Sequence, residues 1–389
     1  MQWWKANARY LVDRMPIATV GIVWSQRNTD FFGRDNPGEL VDAPYTGFMH
    51  ALIRARIPYL PIHADDIETK GANLSVLILP NVGVLSDAQA ASLRRFVQRG
   101  GSLLATGQTS LYTEWGDRRP DFALADLFKC HTQSETPGVR TGGGRGSSGD
   151  PSAAFAPSPA GHTYLRLSPE WRAQVDGPRA GDEPKPVGYR HPVLLGFEET
   201  DILPFGGTLS ALRVDSGTTV PLTFVPPFPT YPPETAWMRE PSSDIPGLIL
   251  AEHGKSRVAY MPADLDRRYA REHLPDHARL LANVVRWTAD NTIPLTVDGT
   301  GLIDCHLYQQ QHALVLHMVN LTSEATWRAP VDELIRVGPF KVSIRVPRLL
   351  PHRLARLLVG GGTRPLLGDY PAAIFEIPSI LDHEVVVIE

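Results

Sequence analysis

The sequence of 389 residues contains only two cysteines, Cys130 and Cys305, and they lie far apart. Two isolated cysteines in one chain cannot build a disulfide framework or a zinc site held by cysteines. So low a count fits a reducing compartment, and we expect a cytoplasmic protein.

The sequence also lacks a basic excess and a long apolar run. Lys plus Arg total 38 and Asp plus Glu total 42, so the formal net charge is −4. A chain without a broad positive field does not hold a nucleic acid or an anionic membrane by electrostatics. No uninterrupted apolar stretch reaches the roughly 20 residues that cross a bilayer. Charges interrupt the apolar runs of the first 16 residues, which argues against a signal peptide. We therefore expect neither nucleic acid nor membrane as a partner.

The first third of the chain alternates short apolar runs with amphipathic segments. Four runs are typical of strands buried on both faces of a parallel sheet: 17–24, 58–63, 74–80 and 101–106. One helical stripe is formed by Tyr45, Phe48, Met49, Leu52 and Ile53. Ser86 followed by Gln89 is a capping-box pattern that predicts the start of another helix. This alternation predicts an α/β fold with a doubly wound sheet.

The middle of the chain departs from this alternation. Residues from about 135 to 250 are rich in Pro and Gly with short β-like pieces, which indicates a β-rich insertion. Within it, 137–150 is a glycine-rich stretch expected to be a mobile loop. No Lys-Ser/Thr follows its glycines, so we expect no phosphate cradle there and no cofactor. An apolar run at 256–262 and a helical pattern after it complete the α/β unit.

The last hundred residues change character again. Five or more short β-like runs with Gly and Pro between them predict a small antiparallel β-sandwich. We therefore place an α/β domain at 1–292 and a C-terminal β-sandwich domain at 293–389.

Several stretches resemble a known family. They are ATVGIVWSQ, GFMHALIRARIPYLPIHADDI, LSVLILPNVGVLSDAQAASLRRFVQRGGSLLATGQTSLY, SRVAYMPADLDRRYA and HARLLANVVRW. They resemble the β-galactosidase trimerisation domain of family 42 glycoside hydrolases, a class I glutamine amidotransferase-like fold. The tail from HMVNLTSEATW to IPSILDHEVVVIE resembles the small β-domain that ends such proteins. The resemblance implies a flavodoxin-like or amidotransferase-like parallel sheet and a homo-oligomer, with a trimer favoured.

The same resemblance implies a module without catalysis. In the family the paired catalytic carboxylates lie on a (β/α)8 barrel, which needs about 250 residues, and only about 15 residues precede the first predicted strand here. The amidotransferase class has a Cys at the turn after a strand, and the matching turn, 105–110, has none. A hydroxyl of Thr109 or Ser110 could replace it only with a base in reach, and the His-x-Glu pattern of the class is absent. The implied role is oligomerisation, or binding of a carbohydrate or of a separate catalytic chain.

A hydrolase acting on a glycoside or an ester is the alternative. Asp264, Asp266 and Arg267 follow the 256–262 run directly, and α/β sheets place ligand crevices at the carboxyl ends of their strands. The same charges could instead cap the next helix and pair with one another. Two carboxylates among Glu114, Glu234 and Asp264, about 5 to 9 Å apart, could act as acid and base on a glycosidic bond. Ser110 is the hydroxyl candidate for a nucleophile.

The loop at 226–238, PPFPTYPPETAWM, combines five prolines with the aromatic residues Phe228, Tyr231 and Trp237. Its stiff backbone and ring faces suit stacking on a sugar, with Glu234 accepting hydroxyls, and they equally suit packing against a neighbouring subunit. Arg34 and Trp115 follow strands that end at the same sheet edge. The ligand-binding candidates are Arg34, Trp115, Tyr231, Trp237, Asp266 and Arg267.

The histidine spacing at His273 and His277 is i, i+4, which can hold a metal on one helix face. Pro275 between them places His273 before the helix begins. We therefore expect a solvated helix start and no metal site.

Overall fold

The computed structural model describes residues 2–133, 153–155, 161–168, 191–197, 200, 202–229, 231–237, 243–290, 292–310, 313–323, 333–346 and 354–388. The glycine-rich stretch at 137–150 lies outside these residues. Contacts divide the chain into two compact units. The β unit comprises Met1–Val20, Leu52–Leu60 and Thr292–Glu389, and the α/β unit comprises Gly21–Ala51 and Pro61–Asn291.

Six α-helices are described: α1 (Gln2–Asn7), α2 (Ala43–Ala55), α3 (Asp87–Gln98), α4 (Ala125–Phe128), α5 (Leu265–Glu272) and α6 (Pro275–Ala289). Shorter 3₁₀ or π turns cover Ala8–Tyr10, Asn28–Gly33, Gly38–Asp42, Ala64–Asp66, Gly71–Asn73, Pro192–Leu194 and Pro233–Thr235. None of the described helices has the length and hydropathy needed to cross a bilayer.

The described strands are β1 (Met15–Pro16), β2 (Val20–Trp24), β3 (Tyr59–His63), β4 (Val76–Leu79), β5 (Ser102–Thr106), β6 (Cys130–Thr132), β7 (Ala153–Phe155), β8 (Gly161–Leu167), β9 (Ile202–Pro204), β10 (Leu209–Ser210), β11 (Leu212–Val214), β12 (Thr219–Pro229), β13 (Pro246–His253), β14 (Ser256–Met261), β15 (Leu295–Asp298), β16 (Ile303–Gln309), β17 (Leu314–Asn320), β18 (Phe340–Arg345), β19 (Leu354–Leu357), β20 (Thr363–Pro365), β21 (Ala372–Ile377) and β22 (His383–Ile388). A strand lies within each apolar run that the sequence pattern assigned to the α/β sheet.

Nine strands form one sheet in the order β3-β2-β4-β5-β14-β13-β12-β8-β9. Strand β5 pairs in parallel with both β4 and β14. From β14 to β9 each pairing is antiparallel. The prediction of a parallel sheet is therefore corrected to a mixed α/β sheet. The predicted β-rich insertion contributes these added strands, because their backbone groups pair with the edge that β14 would otherwise leave open.

The order at one end of this sheet creates a crevice. The chain passes from β2 to β3 on one side and then to β4 on the other side of β2. Where the connections from two neighbouring strands run to opposite sides, a space opens at the carboxyl ends of those strands. Open α/β sheets bind ligands in that space. Here that space lies between the ends of β2 and β4.

Local sequence signals explain where the flanking helices begin and how closely they pack. Ser86 Oγ accepts the backbone N–H of Gln89 at 3.2 Å, and Gln89 Oε1 accepts the N–H of Ser86 at 2.9 Å, so the predicted capping box is confirmed. Helix α2 approaches the backbone of Asp266 at Gly47, where a Cβ would lie 1.9 Å from the Asp266 carbonyl oxygen. Only glycine at this point allows that approach.

The β unit contains two antiparallel sheets, β1-β16-β17-β22-β19-β20 and β15-β18-β21. Their inward side chains share one apolar core, which includes Leu316, Phe340 and Phe375. Strand β1 pairs with the end of β16, and Trp3 Nε1 donates to the Leu358 carbonyl at 3.0 Å. The first residues thus belong to this unit, an association that their sequence pattern did not predict.

Candidate functional site

The turn after β14 carries three of the predicted site residues, and the structure brings them together. Asp264 accepts hydrogen bonds from the backbone N–H and the hydroxyl of Thr208, at 2.9 and 2.7 Å. Its Oδ2 also accepts from Arg267 Nε at 2.7 Å. Burial raises the pKa of Asp264 above its ordinary value, against the opposing effect of Arg267 and Thr208. Both oxygens of this carboxylate are therefore occupied by protein donors.

The second carboxylate, Asp266, is completely buried. Its Oδ2 accepts from Thr106 Oγ1 at 2.5 Å, and its Oδ1 accepts from the backbone N–H of Arg267 at 2.8 Å. Burial raises the pKa of Asp266 to about 6, although the Thr106 hydrogen bond lowers it. A raised carboxyl pKa is common at catalytic sites and also in structural networks, so access to solvent decides between the two.

The network continues away from β14 through Glu39. Arg267 Nη1 donates to Glu39 at 3.0 Å, and Arg271 Nη2 donates to the same carboxylate at 2.5 Å. Burial would raise the pKa of Glu39, but the hydrogen bonds and charges of Arg267 and Arg271 lower it below the ordinary value. We call Glu39, Thr106, Asp264, Asp266 and Arg267 the acid network. The positive charges of Arg267 and Arg271 offset those of Asp264 and Glu39 inside the α/β unit.

The hydroxyls of the turn after β5 are also occupied. Ser110 is buried with a φ of 69°, and its Oγ accepts the backbone N–H of Leu124 at 3.3 Å. Thr109 Oγ1 donates to the Thr106 carbonyl at 2.7 Å. These hydroxyls hold the turn in shape.

The remaining predicted residues lie on surface loops. No hydrogen bond or ion pair within the described residues joins Glu114 or Glu234 to Asp264. Trp115 is exposed and makes an edge-to-face contact with Phe31, with ring centroids 6.1 Å apart. Four other candidates are also exposed: Arg34, Tyr231, Glu234 and Trp237. The structure thus unites Asp264, Asp266 and Arg267 and keeps the other candidates out of that cluster.

A cavity of about 560 Å³ opens at the carboxyl ends of β2 and β4, beside the acid network. Trp24 and Tyr45 give it aromatic walls, and Pro61 and Pro80 add apolar surface. Its polar lining consists of Ser25, Asn28, Thr29, Asp42 and Thr46. None of the lining residues is basic. We call this space the switch cavity, after the reversal of strand order that creates it.

Asparagines hold the floor of the switch cavity. Asn28 Nδ2 donates to the Asn81 carbonyl at 3.3 Å, and Asn28 Oδ1 accepts the N–H of Val84 at 3.1 Å. Asn81 takes a φ of 48° and its Oδ1 accepts the N–H of Gln108 at 2.8 Å. On the wall, the Trp24 indole meets the His63 imidazole edge to face, with centroids 4.7 Å apart.

The hydroxyls that line the cavity differ from those of the acid network. Ser25, Thr29, Tyr45 and Thr46 make no side-chain hydrogen bond to any other residue that the structure describes. Burial raises the pKa of Tyr45, so its phenol keeps the proton that it can donate. Sequence reasoning missed these residues because it assigned Tyr45 to the sheet-facing stripe of α2. The signal available was the sequence Trp24-Ser25 at the end of the first buried run.

The histidines near α6 correct one expectation. His277 is completely buried, and its Nε2 lies 2.8 Å from the Pro204 carbonyl, so the helix start is not solvated there. The reason is that the first turn of α6 packs against the end of β9. Within the described residues, no group of three or more His, Cys, Asp or Glu side chains is arranged to hold a metal.

No protein-family model matches this sequence, and no curated protein matches it. Similarity appears at the level of structure. The α-L-fucosidase isoenzyme 2 from Paenibacillus thiaminolyticus aligns with a TM-score of 0.68 and 15% identity, over 99% of this chain and 50% of that one. The β-galactosidase from Bacillus circulans sp. alkalophilus aligns with a TM-score of 0.62 and 11% identity, over 100% of this chain and 44% of that one.

Gan42B, a family 42 β-galactosidase from G. stearothermophilus, aligns with a TM-score of 0.57 and 12% identity, over 95% of this chain and 40% of that one. The chain thus spans half or less of the length of these enzymes. At such low identities the alignments establish the fold alone. This chain has a glycoside-hydrolase-related fold.

Proposed function

We propose that this chain is a glycoside-hydrolase-related module that works by assembly and not by catalysis. It binds copies of itself, as a trimer, or a separate catalytic chain. We assign the α/β unit to the class I amidotransferase-like type. The order β3-β2-β4-β5-β14 supports this assignment, because it is the 2-1-3-4-5 order of flavodoxin-like sheets. A cytoplasmic location belongs to the proposal on the low cysteine count alone.

The observation that carries the proposal is the closure of the acid network. A general acid, base or nucleophile has to come within hydrogen-bond reach of its substrate. Thr106, Ser110 and Asp266 have no exposed surface, and Asp264 has 8%. Their polar atoms bond to protein groups. Such an arrangement suits a scaffold that fixes the turn after β14 against α2.

The exposed loop at 231–237 supports an assembly surface. Tyr231 is 79% exposed and Trp237 is 53% exposed, and large aromatic side chains are enriched in protein interfaces. We propose that these rings pack against a neighbouring chain. The same rings could stack on carbohydrate, and the assembly experiment separates the two roles.

Light scattering after size-exclusion chromatography tests assembly. The chain mass is 42.8 kDa, and we expect a particle of three chains. The variants Tyr231→Ser and Trp237→Ser should weaken assembly about tenfold or more, since central aromatic residues carry much of the energy of an interface. A wild-type protein that is monomeric at every concentration would overturn self-assembly.

A panel of nitrophenyl glycosides and short-chain nitrophenyl esters tests the absence of catalysis. Wild type, Ser110→Ala and Glu234→Gln should all release nitrophenol at the rate of buffer alone. Turnover by wild type that one of the variants loses would assign the catalytic role to that residue. The protein would then be a hydrolase and the proposal would fail.

A further inference from the structure

We infer that the switch cavity binds a neutral sugar ring. This inference concerns a site separate from the acid network and from the 231–237 loop. It does not depend on the oligomeric state of the chain.

The cavity lies where the strand order of the sheet reverses. The ends of β2 and β4 flank the point where the strand order reverses, which is where open α/β sheets bind ligands. The volume of about 560 Å³ falls within the usual range of about 300–1,000 Å³ for small-molecule sites. Strand β4 is buried along its whole length and β2 is buried up to Val23, so the walls rest on the core of the sheet.

The walls of the cavity combine aromatic surface with hydroxyl groups. Trp24 is 44% exposed, so part of its ring is accessible to a ligand. Aromatic and proline surfaces pack against the C–H faces of a sugar ring. Ser25, Thr29 and Thr46 offer hydroxyls that no described residue bonds, and a sugar's hydroxyl groups can both donate to them and accept from them. A purely apolar ligand would leave these groups unsatisfied, which disfavours it.

The charge of the lining selects among polar ligands. Asp42 is the charged residue of the lining, and it lies where the Gly38–Asp42 turn runs into α2. Among the described residues no Lys or Arg lines the space. A phosphorylated or acidic sugar would therefore meet repulsion, whereas a neutral sugar can donate hydroxyl hydrogens to the Asp42 carboxylate.

Hydrogen bonds hold the floor of the cavity in place. The bonds of Asn28 to Asn81 and Val84 join the segment after β2 to the segment after β4. Asn28 is only 2% exposed, so this brace is shielded from solvent. A cavity held open before binding loses less entropy when a ligand enters.

Saturation-transfer NMR titrations on the full chain provide the test, with D-galactose, L-fucose, D-mannose and D-glucose as probes. We expect saturable binding of at least one of them. D-Glucuronate is the matched anion for D-glucose, because only the C6 group differs, and it should bind about tenfold more weakly or not at all. Trp24→Ala should weaken binding of the best probe about fivefold to tenfold.

Tyr45→Phe removes one hydroxyl and should weaken binding about threefold to tenfold. It keeps the inference testable if Trp24→Ala fails to fold. Trp4→Ala is the control, since Trp4 is an exposed tryptophan on α1 that does not line the cavity, and its binding should equal that of wild type.

Three outcomes would overturn the inference. One is the absence of saturable binding for all four neutral sugars. Another is binding of D-glucuronate as tight as that of D-glucose. The third is binding that Trp237→Ala abolishes while Trp24→Ala and Tyr45→Phe leave it unchanged, which would place the sugar on the 231–237 loop. Light scattering on the same samples measures assembly separately. Failure of sugar binding therefore does not decide the assembly proposal, and failure of assembly does not decide sugar binding.

Discussion

The acid network and the switch cavity lie at the same sheet edge and are built from similar residue types, yet they offer opposite chemistry. In the acid network the hydroxyl of Thr106 and the carboxylates of Asp264 and Asp266 bond to protein groups and are buried. In the switch cavity the hydroxyls of Thr29 and Thr46 have no partner among the described residues and face open space. A polar residue at the end of a strand therefore indicates a binding site only if its donors and acceptors are not already bonded to other protein groups.

The largest expected effect concerns the cation of the acid network. Arg267→Met keeps much of the side-chain volume but leaves the buried Asp264 without its charge partner. We expect a loss of about 3–5 kcal/mol in the free energy of unfolding, since an unpaired buried charge is costly. Urea denaturation at pH 7 measures it.

Arg271→Met is the control for that change. Arg271 pairs with Glu39 but is half-exposed, so its loss should cost about 1 kcal/mol or less. Equal losses in the two variants would mean that the acid network is no more closed to solvent than a surface ion pair.

The second effect concerns the pH dependence of stability. The pKa of Asp266 is about 6 in the folded chain and about 3.9 in an unfolded one. The folded state thus holds the proton more tightly, so the contribution of Asp266 is most favourable below about pH 4 and is lost as the pH rises through 6. Relative to Asp266→Asn, wild type should lose about 2 kcal/mol between pH 4 and 7. Urea midpoints across this range test it, and parallel curves for the two proteins would contradict the buried carboxylate.

The smallest effect compares two threonines directly. Thr106→Val leaves buried groups of Asp266 and Asn81 without a partner, and should cost about 1–3 kcal/mol. Thr46→Val removes a hydroxyl that bonds to none of the residues the structure describes, and it should change stability by about 0.5 kcal/mol or less. Thermal unfolding of the pair measures both. A costly Thr46→Val would show that the cavity hydroxyls already serve the fold.

Much of the α/β unit could be predicted from local pattern. Strands β4 and β5 are buried along their whole length and β14 is buried except at Arg257, so their sequences are largely apolar runs. The capping box at Ser86 and Gln89 depends on residues three apart, which makes it readable from sequence. The sequence predicted short β-like pieces in the insertion but not how they pair, since partners such as Leu167 and Leu222 lie far apart in the chain.

The candidate site divides in the same way. Asp264, Asp266 and Arg267 were identifiable because they follow a strong strand directly. Their contacts with Thr106 and Glu39 span 160 and 228 positions, and no local pattern encodes such a separation. Tyr45 shows the reverse error, since its helical spacing indicated a core position while the structure places it on a cavity wall.

The sequence by itself determined which segments form buried strands and amphipathic helices, because a strand of period two and a helix of period 3.6 must place their apolar side chains on defined faces. It also determined which residues stand at strand ends. Only the tertiary structure decided which of those polar side chains bond to other protein groups and which remain open to a ligand. That outcome depends on whether distant chain segments bring donors and acceptors within 3 Å, and such distances are set when the sheet assembles.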